Sequence, residues 1–108
     1  MKPLLFGLLA LAGLSGAQSQ QTFAGTITDD MCAMADHAGM QMGPTDADCT
    51  RACVDAHGAQ FVLFDGRTVY SLSDQKAPAE LAGRKVRVTG TLDAATRTIA
   101  VRSIAAAE

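Results

Sequence analysis

Two apolar stretches, residues 60–64 and 68–72, flank the sequence Asp65-Gly66-Arg67 near the middle of the chain. Asp-Gly between apolar runs favours a β-hairpin, because a tight hairpin turn needs positive φ at both central positions. The sequence therefore predicts a hairpin here, and any fold must contain this antiparallel pair.

Three further stretches alternate apolar and polar residues with the period of a half-buried strand: residues 22–28, 85–92 and 98–104. In the last of these, Ile99 and Val101 share a face but Ile104 breaks the parity. A β-bulge near Arg102-Ser103 accounts for that shift.

Two helical segments interrupt the strands. A short one begins near Pro78 and ends at Gly83. A longer one is predicted to start with Asp46 or Asp48 as N-cap, and to run through His57 to a stop at Gly58.

The element order predicts a mainly β fold, a small five-stranded barrel like the oligonucleotide/oligosaccharide-binding (OB) fold. A Cys/Met/His-rich, partly helical insert, residues 29–58, lies between strands 1 and 2, and a short helix lies between strands 3 and 4. A topology of this kind does not itself specify a ligand.

The N-terminus reads as a secretory signal peptide, residues 1–17, with Lys2 before a short apolar run and small residues at its end. Cleavage is expected after Ala17 or, alternatively, after Ser19. Residues 18–108 then form one domain, periplasmic or secreted, and not membrane-bound after cleavage.

The chain has 9 Lys and Arg against 11 Asp and Glu, a formal net charge of −2, which disfavours nucleic acid as a partner. Its aromatic side chains outside the N-terminal run fall on predicted strand positions that suit a core: Phe23, Phe61, Phe64 and Tyr70. No nucleophile elbow and no paired carboxylates are recognisable, so a non-enzymatic protein is expected.

All three cysteines lie in the insert, in the pattern C-x4-H-x11-C-x3-C formed by Cys32, His37, Cys49 and Cys53. Three thiols and an imidazole make a complete ligand set for zinc, and soft sulfur ligands also select copper(I). The sequence predicts a copper or zinc site with these four ligands. The insert also contains four possible auxiliary ligands: Met34, Met40, Met42 and His57.

Two alternatives remain open. Two of the cysteines, Cys32 with Cys49 or Cys53, can form a disulfide that staples a β domain binding a periplasmic protein or a small molecule. The C-x3-C pair can instead belong to a thiol-disulfide redox protein.

The chain also resembles a family of small secreted bacterial proteins of unknown function. The resemblance rests on these stretches: residues 25–32, His37, Cys49-x3-Cys53-Val54, and residues 61–63, 69–72 and 83–92. It implies a compact β fold and an extracytoplasmic location, and it places Cys32, His37, Cys49 and Cys53 on motif positions. It implies no particular activity.

Overall fold

In the computed structural model, which describes residues 19–32 and 45–107, five strands form a closed barrel. They are β1 (Gln21–Asp29), β2 (Phe61–Phe64), β3 (Val69–Leu72), β4 (Lys85–Asp93) and β5 (Thr98–Ala106). The predicted mainly β architecture is confirmed.

Around the barrel the strands follow the order β1-β2-β3-β5-β4, and β4 closes on β1. β1 is long enough to serve two neighbours: residues 21–26 pair with β4, and residues 26–29 pair with β2. β3 and β5 pair in parallel, with Ser71 opposite Thr98, and the other pairs are antiparallel. The predicted OB-like barrel is therefore confirmed.

The β2–β3 hairpin forms where it was predicted, but its turn is wider than the two-residue type. Phe64 pairs with Val69, and Asp65 Oδ1 accepts hydrogen bonds from the amides of Arg67 (2.8 Å) and Thr68 (2.7 Å). In this turn only Gly66 has positive φ, 101°. The Asp65 side chain organises the turn in place of a second left-handed residue.

A bulge interrupts the β4–β5 pair at the predicted position. Thr89 pairs with Ser103 and Gly90 pairs with Val101, which leaves Arg102 as the extra residue. The bulge explains why Ile104 returns to the core side although it breaks the strand period.

The longer helix, α1, spans Asp46–His57 and ends as predicted at Gly58, which has φ 70°. Its N-cap is Thr45, however, and neither Asp46 nor Asp48. Thr45 Oγ1 accepts a hydrogen bond from the Asp48 amide (3.1 Å) and donates one to Asp48 Oδ2 (2.9 Å). Asp48 is thus the third residue of the helix, where its carboxylate accepts a hydrogen bond from the N-cap hydroxyl.

The predicted short helix between β3 and β4 is a 3-10 helix, Ala77–Leu81, with Pro78 buried at its start. Arg51 of α1 donates from Nε to the carbonyl of Ala79 (3.0 Å), so the two helical elements pack together beside the barrel. Ala47, Val54, Ala79 and Leu81 pack against the barrel core.

The barrel core is built from these buried side chains: Ile27, Phe61, Leu63, Leu72, Ala82, Val86, Val88 and Ile99. Phe23 and Tyr70 pack at its edge with ring centroids 5.3 Å apart. In the part of the chain that the structure describes, no helix has the length and apolar character needed to cross a membrane. The predicted signal peptide lies outside the described residues.

Candidate metal centre

The C-terminal end of β1 is buried on both faces. Ile27, Thr28 and Asp29 are each 0% exposed, whereas residues nearer the strand's start alternate between exposed and half-buried. α1 packs against β1, and this contact covers the face that alternation alone would leave in solvent. The side chains of Thr28 and Asp29 are therefore buried between β1 and α1, the helix that carries Cys49 and Cys53.

These two buried side chains fix the backbone of Cys32. Asp29 Oδ2 accepts hydrogen bonds from the amides of Met31 (3.1 Å) and Cys32 (3.0 Å), which holds the 3-10 turn Asp30–Cys32. Thr28 Oγ1 donates to the Cys32 carbonyl at 3.0 Å. The first cysteine is therefore held at both its amide and its carbonyl.

The other two cysteines lie on one face of α1. Cys49 and Cys53 are one helical turn apart, and both are buried with Ala59, which follows the helix. The Ala59 amide donates to the Cys53 carbonyl (3.2 Å), and this bond closes the helix after Gly58. This hydrogen bond holds Ala59 in contact with Cys49 and Cys53.

The turn after β1 and the helix α1 bring the three cysteines into one cluster. The Sγ atoms of Cys32, Cys49 and Cys53 all lie within 4.8 Å of one another. The side chains are 6%, 1% and 0% exposed, and no disulfide joins these three residues. A buried cluster of three thiols from two distant parts of the sequence is the main chemical feature of the described residues.

The pKa of the Cys53 thiol is raised from 9.0 to about 12. Burial is the largest cause, followed by the negative charge of Asp29 and then by the neighbouring Cys49 and Cys32. A contact between the thiol and the Asp29 carboxylate adds to the shift. These surroundings favour the neutral thiol until a cation compensates the charge.

Not every predicted ligand joins the cluster. His57 lies exposed in the last turn of α1, and the Cys32–Cys49–Cys53 group does not include it. Met31, beside Cys32, is 46% exposed. His37 and the auxiliary residues Met34, Met40 and Met42 lie outside the described residues.

Sequence reasoning missed Asp29 and Thr28. Alternation marked Thr28 only as the polar end of a strand and left Asp29 in the insert, whereas both are buried where α1 packs against β1. One local pattern was available: an Asp followed two and three residues later by amides that it can cap is typical of an Asx-type turn. Asp29-Asp30-Met31-Cys32 fits that pattern.

A family model described as "Protein of unknown function (DUF5818)" matches residues 54–107, half of the chain. The matched segment begins directly after Cys53 and contains the last residues of α1 and strands β2 to β5. No curated protein and no solved structure matches the chain significantly. The chain belongs to the DUF5818 family of proteins of unknown function.

Proposed function

We propose that this protein is an exported, non-enzymatic module that binds a soft metal ion, copper(I) or zinc, through Cys32, Cys49 and Cys53. The observation that carries the proposal is the buried cluster of three Sγ atoms within 4.8 Å of one another. Thiolates are the ligands that both ions prefer among protein groups.

The spacing of the sulfurs suits one ion. Sulfur atoms that bind zinc at about 2.3 Å lie about 3.8 Å apart in a tetrahedron. The cluster therefore needs a contraction of at most about 1 Å, which side-chain rotation can supply. Three thiolates make a trigonal site for copper(I), whereas zinc takes a fourth ligand, for which His37 is the candidate predicted from the sequence.

If the protein is exported, a bound metal ion protects its thiols from oxidation. In an oxidising compartment, three neighbouring thiols are liable to oxidise to a disulfide. A bound metal ion keeps the sulfurs as thiolates and joins β1 to α1. Export itself rests on the signal peptide predicted for residues 1–17.

The redox alternative has an observation against it. Attack on a disulfide requires a thiolate, and reactive cysteines have a lowered pKa. The pKa of Cys53 is raised to about 12 and the side chain is 0% exposed, properties that suit a structural or metal-binding thiol.

Thiol counting tests the proposal. One equivalent of zinc or copper(I), added to reduced protein, is expected to protect three thiols from alkylation under native conditions. Cys32→Ser, Cys49→Ser and Cys53→Ser should each abolish stoichiometric protection. His57→Ala should retain it, because His57 lies outside the cluster.

Two results contradict the proposal. Unprotected thiols in the presence of metal would exclude a site at the cluster. One disulfide and no metal uptake, in protein isolated from the periplasm, would support the disulfide-stapled β domain instead.

A further inference from the structure

The Asp29 carboxylate is buried with one of its two oxygens unsatisfied. Oδ2 accepts from the amides of Met31 and Cys32, whereas Oδ1 accepts no hydrogen bond from the residues that the structure describes. Among the described residues, Thr50 Oγ1, next to Cys49, is in the same state. Both unsatisfied oxygens therefore belong to the segments that carry the cysteines.

Such atoms are uncommon in folded proteins, where buried polar groups nearly always have a hydrogen-bond partner or an ion. A buried carboxylate is the costliest case, since buried charges are paired or coordinate metals. The Asp29 side chain is 0% exposed. Its Oδ1 atom is thus a candidate ligand for an ion.

The Asp29 carboxylate lies beside the thiol cluster, bonded to the Cys32 amide, although its oxygens are not among the atoms that lie within 4.8 Å of one another. It lies close enough to Cys53 for its charge to be the second-largest cause of that thiol's raised pKa. All the groups that shift this pKa raise it, so the described surroundings of Cys53 supply no compensating cation. Three buried thiols and a buried carboxylate therefore lie side by side.

We infer that Asp29 Oδ1 is the fourth ligand of the metal, and that the completed S3O set selects zinc over copper(I). The inference rests on the proposed function, because it assumes that the three cysteines bind the same ion. It makes Asp29 the fourth ligand, a position for which the sequence predicted His37.

The donor chemistry favours zinc. Zn²⁺ accepts carboxylate oxygen together with thiolate sulfur in a closed tetrahedral site, whereas copper(I) selects soft sulfur ligands. Charge favours it too: three thiolates and a carboxylate around Zn²⁺ leave two negative charges, as in an ordinary four-cysteine zinc site. Around copper(I) the same ligands leave three.

The hydrogen bonds of Asp29 suit a ligand that binds through one oxygen. Ligating carboxylates are usually held by further hydrogen bonds, which orient them toward the metal. Here Oδ2 is held by the Met31 and Cys32 amides, so that Oδ1 is left for the ion.

Asp29→Asn tests the inference, since the amide oxygen of Asn can still accept from the two backbone amides. We expect zinc affinity to fall at least about tenfold and copper(I) affinity to change less than about threefold. Both are measured by competition with a chromophoric chelator. Asp30→Asn is the matched control: it removes the same charge from the exposed neighbouring residue and should leave both affinities unchanged.

Equal weakening of both metals by Asp29→Asn would identify a structural role for Asp29 and overturn the inference, as would no change in either. Absence of zinc and copper(I) binding by the wild-type protein would instead overturn the proposed function.

X-ray absorption at the zinc edge provides a test on the wild-type protein, independent of whether the variant folds. We expect three sulfurs at about 2.3 Å and one oxygen at about 2.0–2.2 Å, with no imidazole scattering. An imidazole in the first shell would assign the fourth position to a histidine and overturn the inference.

Discussion

Cys32 is held in place by side chains that precede it in β1, before any metal binds. Thr28 fixes its carbonyl and Asp29 fixes its amide, both in a fully buried environment. A ligand whose backbone is already ordered loses less conformational entropy when the ion binds. Thr28, which does not touch the metal, therefore contributes to its affinity.

Thr28→Val tests this support. Valine has nearly the same shape but no hydroxyl, so the buried Cys32 carbonyl loses a donor. We expect the free energy of unfolding to fall by about 1–3 kcal/mol in urea denaturation, with weaker zinc binding. Thr22→Val is the control, because Thr22 is exposed, and its change should stay within about 0.5 kcal/mol. Equal effects of the two variants would contradict the assigned role of Thr28.

The raised Cys53 pKa predicts how the metal-free, reduced protein responds to alkaline pH. A thiol whose pKa is higher in the folded state contributes stability that is complete below the unfolded value, here 9.0. That stability is lost as the pH rises from 9.0 toward the folded value of about 12. We expect the free energy of unfolding to fall more steeply above pH 9 in the wild type than in Cys53→Ala. Parallel pH profiles would show that Cys53 does not titrate in this way.

At the level of single residues, the sequence predicts the cysteines but not their buried neighbours. Cys32, Cys49 and Cys53 stand out by residue type and by their confinement to one segment. Asp29 looks like an ordinary polar residue at a strand end. Its burial depends on how α1 packs across β1, a tertiary contact that no local pattern contains.

At the level of elements, the position of the cluster depends on how closely α1 approaches the start of β4. Gly83 has φ 77°, and a Cβ placed on it would lie 2.9 Å from the Ala47 amide nitrogen and 3.1 Å from the Ala47 Cα. The first turn of α1 therefore packs directly on this glycine. A side chain here must push the helix, and with it Cys49, away from β1.

Gly83→Ala tests this contact against Gly58→Ala. Both glycines have similar positive φ, 77° and 70°, but no atom lies within 4 Å of a Cβ built on Gly58. We expect about 1–2 kcal/mol of destabilisation from the backbone strain at either position, and about 1–3 kcal/mol more at Gly83 from the clash. Thermal or urea unfolding measures both. Equal losses would mean that α1 adjusts to the added methyl group without strain.

The strands were predictable from sequence, because three of them are long enough to show their period and the other two flank an Asp-Gly turn. The bulge at Arg102 was predictable from the break in parity at Ile104. The N-cap of α1 was not, because Thr45, Asp46 and Asp48 are all good capping residues within one turn. With Thr45 as N-cap, the Asp48 amide donates to the Thr45 hydroxyl and the Asp48 carboxylate accepts from it. Only the structure shows this pairing.

At the scale of the whole molecule, the described residues contain two buried clusters of different kinds. One is the apolar barrel core, which the strand pairing surrounds. The other, formed by Cys49, Cys53 and Ala59 between α1 and the barrel, contains thiols that a metal can join to Cys32. The barrel thus has its own core and strand pairing, whereas α1 is attached by its packing against the barrel, by the Arg51–Ala79 hydrogen bond and by the thiol cluster.

This division predicts that removal of the metal loosens α1 before it loosens the barrel. Metal binding stabilises the parts of a protein that its ligands join, and local opening has its own free energy in each cooperative unit. When a chelator is added to the zinc-loaded protein, we expect amide hydrogen exchange to speed up in residues 46–57. The amides of β4 and β5 should keep their protection. In Cys49→Ser, zinc should no longer slow exchange in α1. Equal acceleration in α1 and in the barrel strands would show that the metal, the helix and the barrel form a single cooperative unit.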